Sequence, residues 1–322
     1  MVISKTPLRI SFVGGGSDLA SFYKKQVGAV VSTAIDKHIY ITVNKKFDDL
    51  IRASYSITEF VEKPEDLKHE LIREALLLLD IHKGIEITSI SDIPSKGTGL
   101  GSSSTYTVGL LNALYAFKGR ISSAKRLAEE ACEIEIDRCK KPIGKQDQYA
   151  AAFGNLNYIQ FNQDGTVFVS PIICPVKKEL QESLLLLYTG ITRSSSSILD
   201  KQNKSHQRNE ESIQLMVSMA KEMKASLEEG NLGVFGWLLD KNWNLKKKLA
   251  KGISNPEIDK WYDTAKKYGA IGGKICGAGG GGFLLLYAPK EKHEGIIKAL
   301  PELRHIPFGF EPEGSKIIYY GE

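Results

Sequence analysis

The chain has 322 residues, 42% of them hydrophobic and 25% charged, which suits one large or two ordinary globular domains and excludes a low-complexity chain. A net charge of +5, spread along the sequence, fits a protein that handles anionic metabolites and gives no reason to expect nucleic acid. No apolar run reaches the length of a membrane helix, the start Met1-Val2-Ile3-Ser4-Lys5 does not read as a signal peptide, and the four cysteines show no zinc spacing. A cytoplasmic protein with reduced thiols and no membrane partner is therefore expected.

Period-two patterning predicts strands over Leu8–Val13, Ala29–Thr33 and His38–Asn44. The first of them carries Arg9 and runs into Gly14-Gly15-Gly16-Ser17-Asp18, which reads either as a flexible turn with a capping Asp or as a binding loop. A helix is predicted over Leu67–Leu79 and a strand over Ile85–Ile90.

That strand leads into Ile93-Pro94-Ser95-Lys96-Gly97-Thr98-Gly99-Leu100-Gly101-Ser102-Ser103-Ser104. Alternating glycines let backbone N–H groups approach an anion, and the helix predicted over Ser103–Phe117 adds the positive end of its dipole. Serine hydroxyls in its first turn can cap the helix or ligate a cation. The segment reads as a phosphate cradle, with a plain turn as its bland alternative.

The next predicted helix covers Ser123–Arg138. Counting back from Glu135 by four, seven and eight gives Ala131, Ala128 and Leu127, so Glu135 lies on the apolar stripe while Glu133 lies on the wet side. A carboxylate facing the interior is costly unless it meets a cation. Glu135 is thus the better Mg²⁺ candidate, against an ion pair at a helix end. Asp147 follows a glycine turn and reads as a helix cap or a catalytic carboxylate.

Strands are predicted over Leu156–Phe161, Val167–Ser170 and Ser183–Tyr188, with a domain boundary near residue 175 dividing 1–175 from 176–322. Beyond it, Lys201–Glu229 predicts a long amphipathic helix whose Met216, Met219 and Met223 belong to a core stripe. Lys246-Lys247-Lys248 reads as a solvated helix face. The segment Gly272–Gly282 holds seven glycines before a predicted strand at Phe283–Tyr287. That density costs folding entropy and points to close approach by a ligand or another loop. A helix near Glu291–Leu300 and a strand at Lys316–Tyr320 complete the prediction.

In this order, Pro7-Leu8-Arg9, the loop Pro94–Ser104 and the glycine segment Lys274–Gly282 resemble the three signature motifs of the GHMP kinase superfamily across essentially the whole chain. Within it the chain is most similar to the D-glycero-D-manno-heptose phosphate kinases. That narrower resemblance rests on Thr6–Leu19, Ala34-Ile35-Asp36-Lys37, Gly144–Tyr149 and Tyr188-Thr189-Gly190-Ile191-Thr192-Arg193. The resemblance implies an α+β fold of two domains: an N-terminal ATP-binding α/β domain and a C-terminal ferredoxin-like α+β domain.

It also implies a transferase that uses ATP and Mg²⁺ to phosphorylate the anomeric hydroxyl of heptose 7-phosphate, supplying nucleotide-activated heptose for lipopolysaccharide or capsule. By position it puts Mg²⁺ ligands at Ser103 and Glu135, the catalytic aspartate at Asp147 and the basic residue of the first motif at Arg9. Pro94, Gly97, Gly99, Leu100, Gly101, Ser102, Ser103 and Ser104 would hold ATP. Gly15, Gly16, Ser17, Asp18, Gly279 and Gly280 would meet the sugar.

Galactokinase-like relatives carry a Glu-His pair where this chain has Gly15 and Gly16, which disfavours a galactose pose and leaves room for a bulkier, phosphorylated sugar. Lys145 and Arg193 are candidates for the cation that holds the substrate's phosphate, each also readable as a surface charge. A kinase of L-fucose, another hexose, mevalonate or homoserine, or an inactive regulator of the same fold, stays open, as does a homo-oligomer.

Overall fold

Two long antiparallel strands organise the N-terminal half of the computed structural model, which describes residues 1–94, 97–191 and 206–321. In β1 (Val2–Val13) nearly every side chain is buried, and the strand pairs with the 18-residue β2 (Gly28–Lys45) after the four-residue α1 (Ala20–Tyr23). The two strands predicted over 29–33 and 38–44 are therefore one. Pro7 has no N–H for the ladder, and the register shifts between Pro7 and Leu8, so the pair bends there without ending.

Next come β3 (Ile51–Ser54) and β4 (Thr58–Val61), which the sequence reading missed because four-residue strands carry too little pattern. They are followed by α2 (Glu70–Leu78), β5 (Ile85–Ser91) and α3 (Ser102–Phe117). α3 packs on both long strands. Mid-helix Gly109 permits this, since a Cβ there would lie 2.7 Å from Thr6 Oγ1. The approach brings the start of α3 over Arg9.

The helix predicted through Arg138 divides. α4 (Ala124–Cys132) is capped by Ser123, whose hydroxyl accepts from Arg126 N, and then widens into a π-helical turn over Glu133–Arg138. α5 (Gln146–Phe153), β6 (Leu156–Phe161) and β7 (Val167–Pro171) complete this half. The first sheet runs β4-β3-β5-β2-β1, with β6 on the lower part of β2 and β7 beside β6. Among the described residues only the β3–β5 pair is parallel.

After α6 (Lys177–Glu182) the second sheet begins at β8 (Leu184–Tyr188). The connection to β9 (Gly272–Ile275) contains α7 (His206–Glu228), α8 (Phe235–Leu249) and α9 (Pro256–Lys267). β10 (Phe283–Tyr287), α10 (His293–Ala299) and β11 (Arg304–His305) follow. The antiparallel order β11-β8-β10-β9 is 4-1-3-2 in chain order, the arrangement of a ferredoxin-like sheet.

The last strand, β12 (Lys316–Tyr320), does not stay with that sheet. It crosses back and pairs with β1, Val2 opposite Tyr320, covering an edge that would otherwise expose unpaired backbone groups. Residues 316–320 therefore belong to the first sheet, although they lie beyond the division expected at 175. Among the described residues no helix is long and apolar enough to cross a membrane.

Candidate active site

Gly97, Gly99 and Gly101 all take positive φ, between 71° and 79°, and Gly101 is the residue from which α3 starts. That conformation suits glycine and turns the chain sharply into the helix. Gly99 also meets the third glycine loop: a Cβ on it would lie 2.4 Å from the Cys276 carbonyl oxygen, and one on Gly277 would lie 2.5 Å from Gly99 Cα. The density of glycine in both loops is explained by backbone packing on backbone. Between them and the Gly14–Asp18 turn opens a cleft of about 750 Å³.

Arg9 and Asp147 sit on its floor. Arg9 is 3% exposed, and Nε and Nη2 donate to Asp147 Oδ1 and Oδ2 at 2.8 and 2.6 Å. Nη1 donates to Gly99 O at 2.7 Å. The guanidinium thus clamps the carboxylate in one plane and ties it to the glycine loop. Asp147 stands in the first turn of α5, a helix that the sequence reading did not separate from its glycine turn because its residues 148–152 are buried all round and carry no 3.6-residue stripe.

Glu135 is wholly buried, with Ala131, Ala128 and Leu127 beside it as the stripe argument expects. Ser103 Oγ donates to Oε1 at 2.5 Å and Gln148 Nε2 to Oε2 at 2.7 Å. Lys141 Nζ lies 3.9 Å from Oε1, 3.2 Å from Glu70 Oε1, and donates to Ser103 Oγ. Burial pushes the Glu135 carboxyl up from its ordinary value, and Lys141 is the largest opposing influence.

No cluster of three or more metal-ligating side chains exists among the described residues. One carboxylate beside a serine hydroxyl at a helix start nevertheless suits Mg²⁺, which takes few protein ligands and completes its shell with phosphate and water. Glu135, whose nearest described cation is Lys141 Nζ at 3.9 Å, beyond hydrogen-bond reach, fits that group.

At the far end of the cleft, Asp18 Oδ1 accepts from Gly16 N at 2.9 Å and Oδ2 from Gln146 N at 3.4 Å. Burial first, then the neighbouring Asp147, raise its carboxyl. Gly144 is required there, since its Cβ would fall 2.0 Å from Asp18 Oδ2. Gly15, Gly16 and Gly279 line this end, together with two lysines that sequence reasoning did not place here, Lys246 and Lys274.

Several residues expected in the site do not line the cleft. Ser17 holds the turn itself, donating to Gly14 O and accepting from Ala29 N. Leu100 is buried and its carbonyl accepts from Arg9 N. Gly280 N donates to Ile253 O, and Pro94 is exposed outside the cleft. Lys145 points elsewhere, donating to Gly165 O at 2.8 Å and lying 5.0 Å from the Tyr23 ring centre. Arg193 lies outside the described residues, as do Ser95 and Lys96.

Residues 68–155 match the model described as GHMP kinases N terminal domain, and residues 223–304 that described as GHMP kinases C terminal. The chain is 31% identical to the D-glycero-alpha-D-manno-heptose 7-phosphate kinase of Campylobacter jejuni over 97% of both chains. It is 27% identical to the L-fucokinase/L-fucose-1-P guanylyltransferase of Bacteroides fragilis over 89% of this chain and 34% of that protein. The crystal structure of a D-glycero-D-manno-heptose 1-phosphate kinase from Bacteroides thetaiotaomicron superposes with a TM-score of 0.83 at 26% identity, covering all of both chains.

Proposed function

This chain belongs to the GHMP kinases and is a sugar kinase, and from that membership we propose that it transfers the γ-phosphoryl group of ATP to the anomeric hydroxyl of D-glycero-D-manno-heptose 7-phosphate, giving the 1,7-bisphosphate. The observation that carries the proposal is the convergence, on one cleft, of the Arg9–Asp147 pair, the start of α3 and the open Gly15–Gly16 turn.

Five cationic side chains and three carboxylates line that cleft, an excess that favours anionic ligands on both sides of the reaction. The backbone of Gly97–Ser104 would hold the donor's phosphates, and Ser103 with Glu135 would hold Mg²⁺. When bound, that ion neutralises phosphate charge. Asp147, fixed by Arg9, would orient the acceptor hydroxyl and take its proton. Asp18 would accept from a sugar hydroxyl, and the missing side chains at 15 and 16 would leave room for a seven-carbon sugar. Transfer of this kind asks a protein for positioning and charge stabilisation more than for covalent chemistry. We divide the chain near residue 175 into a donor-binding unit, completed by β12, and a second unit that supplies one wall of the cleft.

The test is ADP release with Mg-ATP against heptose 7-phosphate, unphosphorylated heptose, L-fucose, galactose, mannose and mevalonate. Strong turnover of heptose 7-phosphate is expected. Turnover of a neutral sugar in its place would keep the kinase and discard the acceptor. ATP binding with no turnover of any acceptor would return the inactive regulator that the sequence leaves open.

A further inference from the structure

Lys246 departs furthest from its sequence context. It opens the Lys246-Lys247-Lys248 run, yet it is 5% exposed and lines the cleft from α8. Its ammonium donates to Gly277 O and has no other hydrogen-bond partner among the described residues. Burial pulls it down to about 8, and the groups acting on it are Cys276, Arg9, Asp18 and Asp147. Lys141 occupies the opposite end, bonded to Ser103 and paired with Glu70 and Glu135.

The cleft therefore has two cationic poles with the Arg9–Asp147 pair between them. One triphosphate at the start of α3 accounts for the first. The second is a buried ammonium with N–H donors to spare, an arrangement that costs free energy until an anion arrives. Lys274 is a weaker candidate for that anion, because two of its donors already reach Ser11 O and Phe12 O at 2.7 and 3.0 Å.

We infer that Lys246 receives the phosphate already carried by the acceptor, and thereby selects a phosphorylated sugar over its neutral counterpart. The inference rests on the acceptor proposed above. It also moves the phosphate-binding role from Lys145, whose ammonium is held by Gly165, to a residue on the other side of the cleft.

The experiment compares wild type, Lys246→Met and Lys246→Arg in kcat and KM for ATP, heptose 7-phosphate and unphosphorylated heptose. Lys246→Met should lose roughly 10- to 100-fold in kcat/KM on the sugar phosphate, mostly through KM, as expected for one charge-assisted contact. The loss on unphosphorylated heptose should be smaller, and Lys246→Arg should recover part of the discrimination. Equal losses on both sugars, a loss carried by kcat or by the KM for ATP, or no loss at all would overturn the inference. A wild-type enzyme that does not prefer the phosphorylated sugar would overturn the acceptor reading itself, a result visible before any variant is made. A melting temperature for each variant separates misfolding from lost binding, and Lys246→Arg keeps the test valid if the methionine variant does not fold.

Discussion

At the scale of single residues, the chemistry of the cleft depends on what each buried charge faces. Asp147→Asn keeps the shape of the side chain but removes its negative charge. Its kcat should fall roughly 10²- to 10⁴-fold, the usual loss for a positioned base, while ATP still binds. Steady-state rates beside equilibrium nucleotide binding check this, and wild-type turnover would remove Asp147 from the reaction. Lys246 adds a pH signature. It faces Arg9 from β1, Asp18 from the loop after it, Asp147 from α5, and Lys274 and Cys276 from β9 and the loop beyond. Burial disfavours its charged form, so the ammonium is present below about pH 8 and lost above it. The kcat/KM for the phosphorylated acceptor should therefore decline as pH rises through about 8, and a profile flat to pH 9.5 would contradict the assignment.

Sequence carried much of this scale. Glu135 was legible because its spacing from Ala131, Ala128 and Leu127 set it on an apolar stripe, and the same stripe survives the π turn. Lys246 was legible by the same arithmetic, since Leu239, Asn242 and Trp243 precede it by seven, four and three and are all buried. Reading it as one of three like charges concealed that periodicity. Lys141 and Lys274 gave no local signal, because their partners come from distant elements.

At the scale of elements, the glycine loops hold each other in place. Gly99→Ala would drive a Cβ into the Cys276 carbonyl at a residue with φ of +77°. A loss of roughly 1–3 kcal/mol is expected, the usual cost of strain at such a site. Chemical denaturation should read it as a lower midpoint, and a stability equal to wild type would show that the loops do not pack this way. Sequence identified both loops and foresaw that glycine density signals close approach, but it could not name which loop approaches which. Element type was readable in α3, β5 and β10, while the twelve-residue helix α9 was not foreseen. It failed for β3, β4 and α5, which are short or buried on every side. The change of winding after Cys132 has no sequence signature either, since the Cys139 N–H reaches Ile134 O through geometry alone.

At the scale of the molecule, the two sheets are tied by chain segments that cross between them. Lys274 of β9 grips the carbonyls of Ser11 and Phe12 in β1, and β12 returns from the C-terminal unit to cover the β1 edge. Ending the chain after Ser315 should expose that edge, lower the melting temperature by several degrees and promote association. Thermal unfolding with light scattering checks this, and an unchanged melting temperature would show that β12 is dispensable. The return of β12 was beyond sequence reasoning, because pairing partners three hundred residues apart leave no local trace.

All three scales meet in the proposed event at the cleft, transfer of a phosphoryl group to the anomeric oxygen of a sugar that already carries a phosphate. Phosphorus NMR of the wild-type enzyme with Mg-ATP and heptose 7-phosphate follows that event directly. A new anomeric phosphate resonance is expected to grow in step with ADP, with the 7-phosphate signal retained. ADP appearing with inorganic phosphate alone, or a new phosphate at any other carbon, would contradict that expectation.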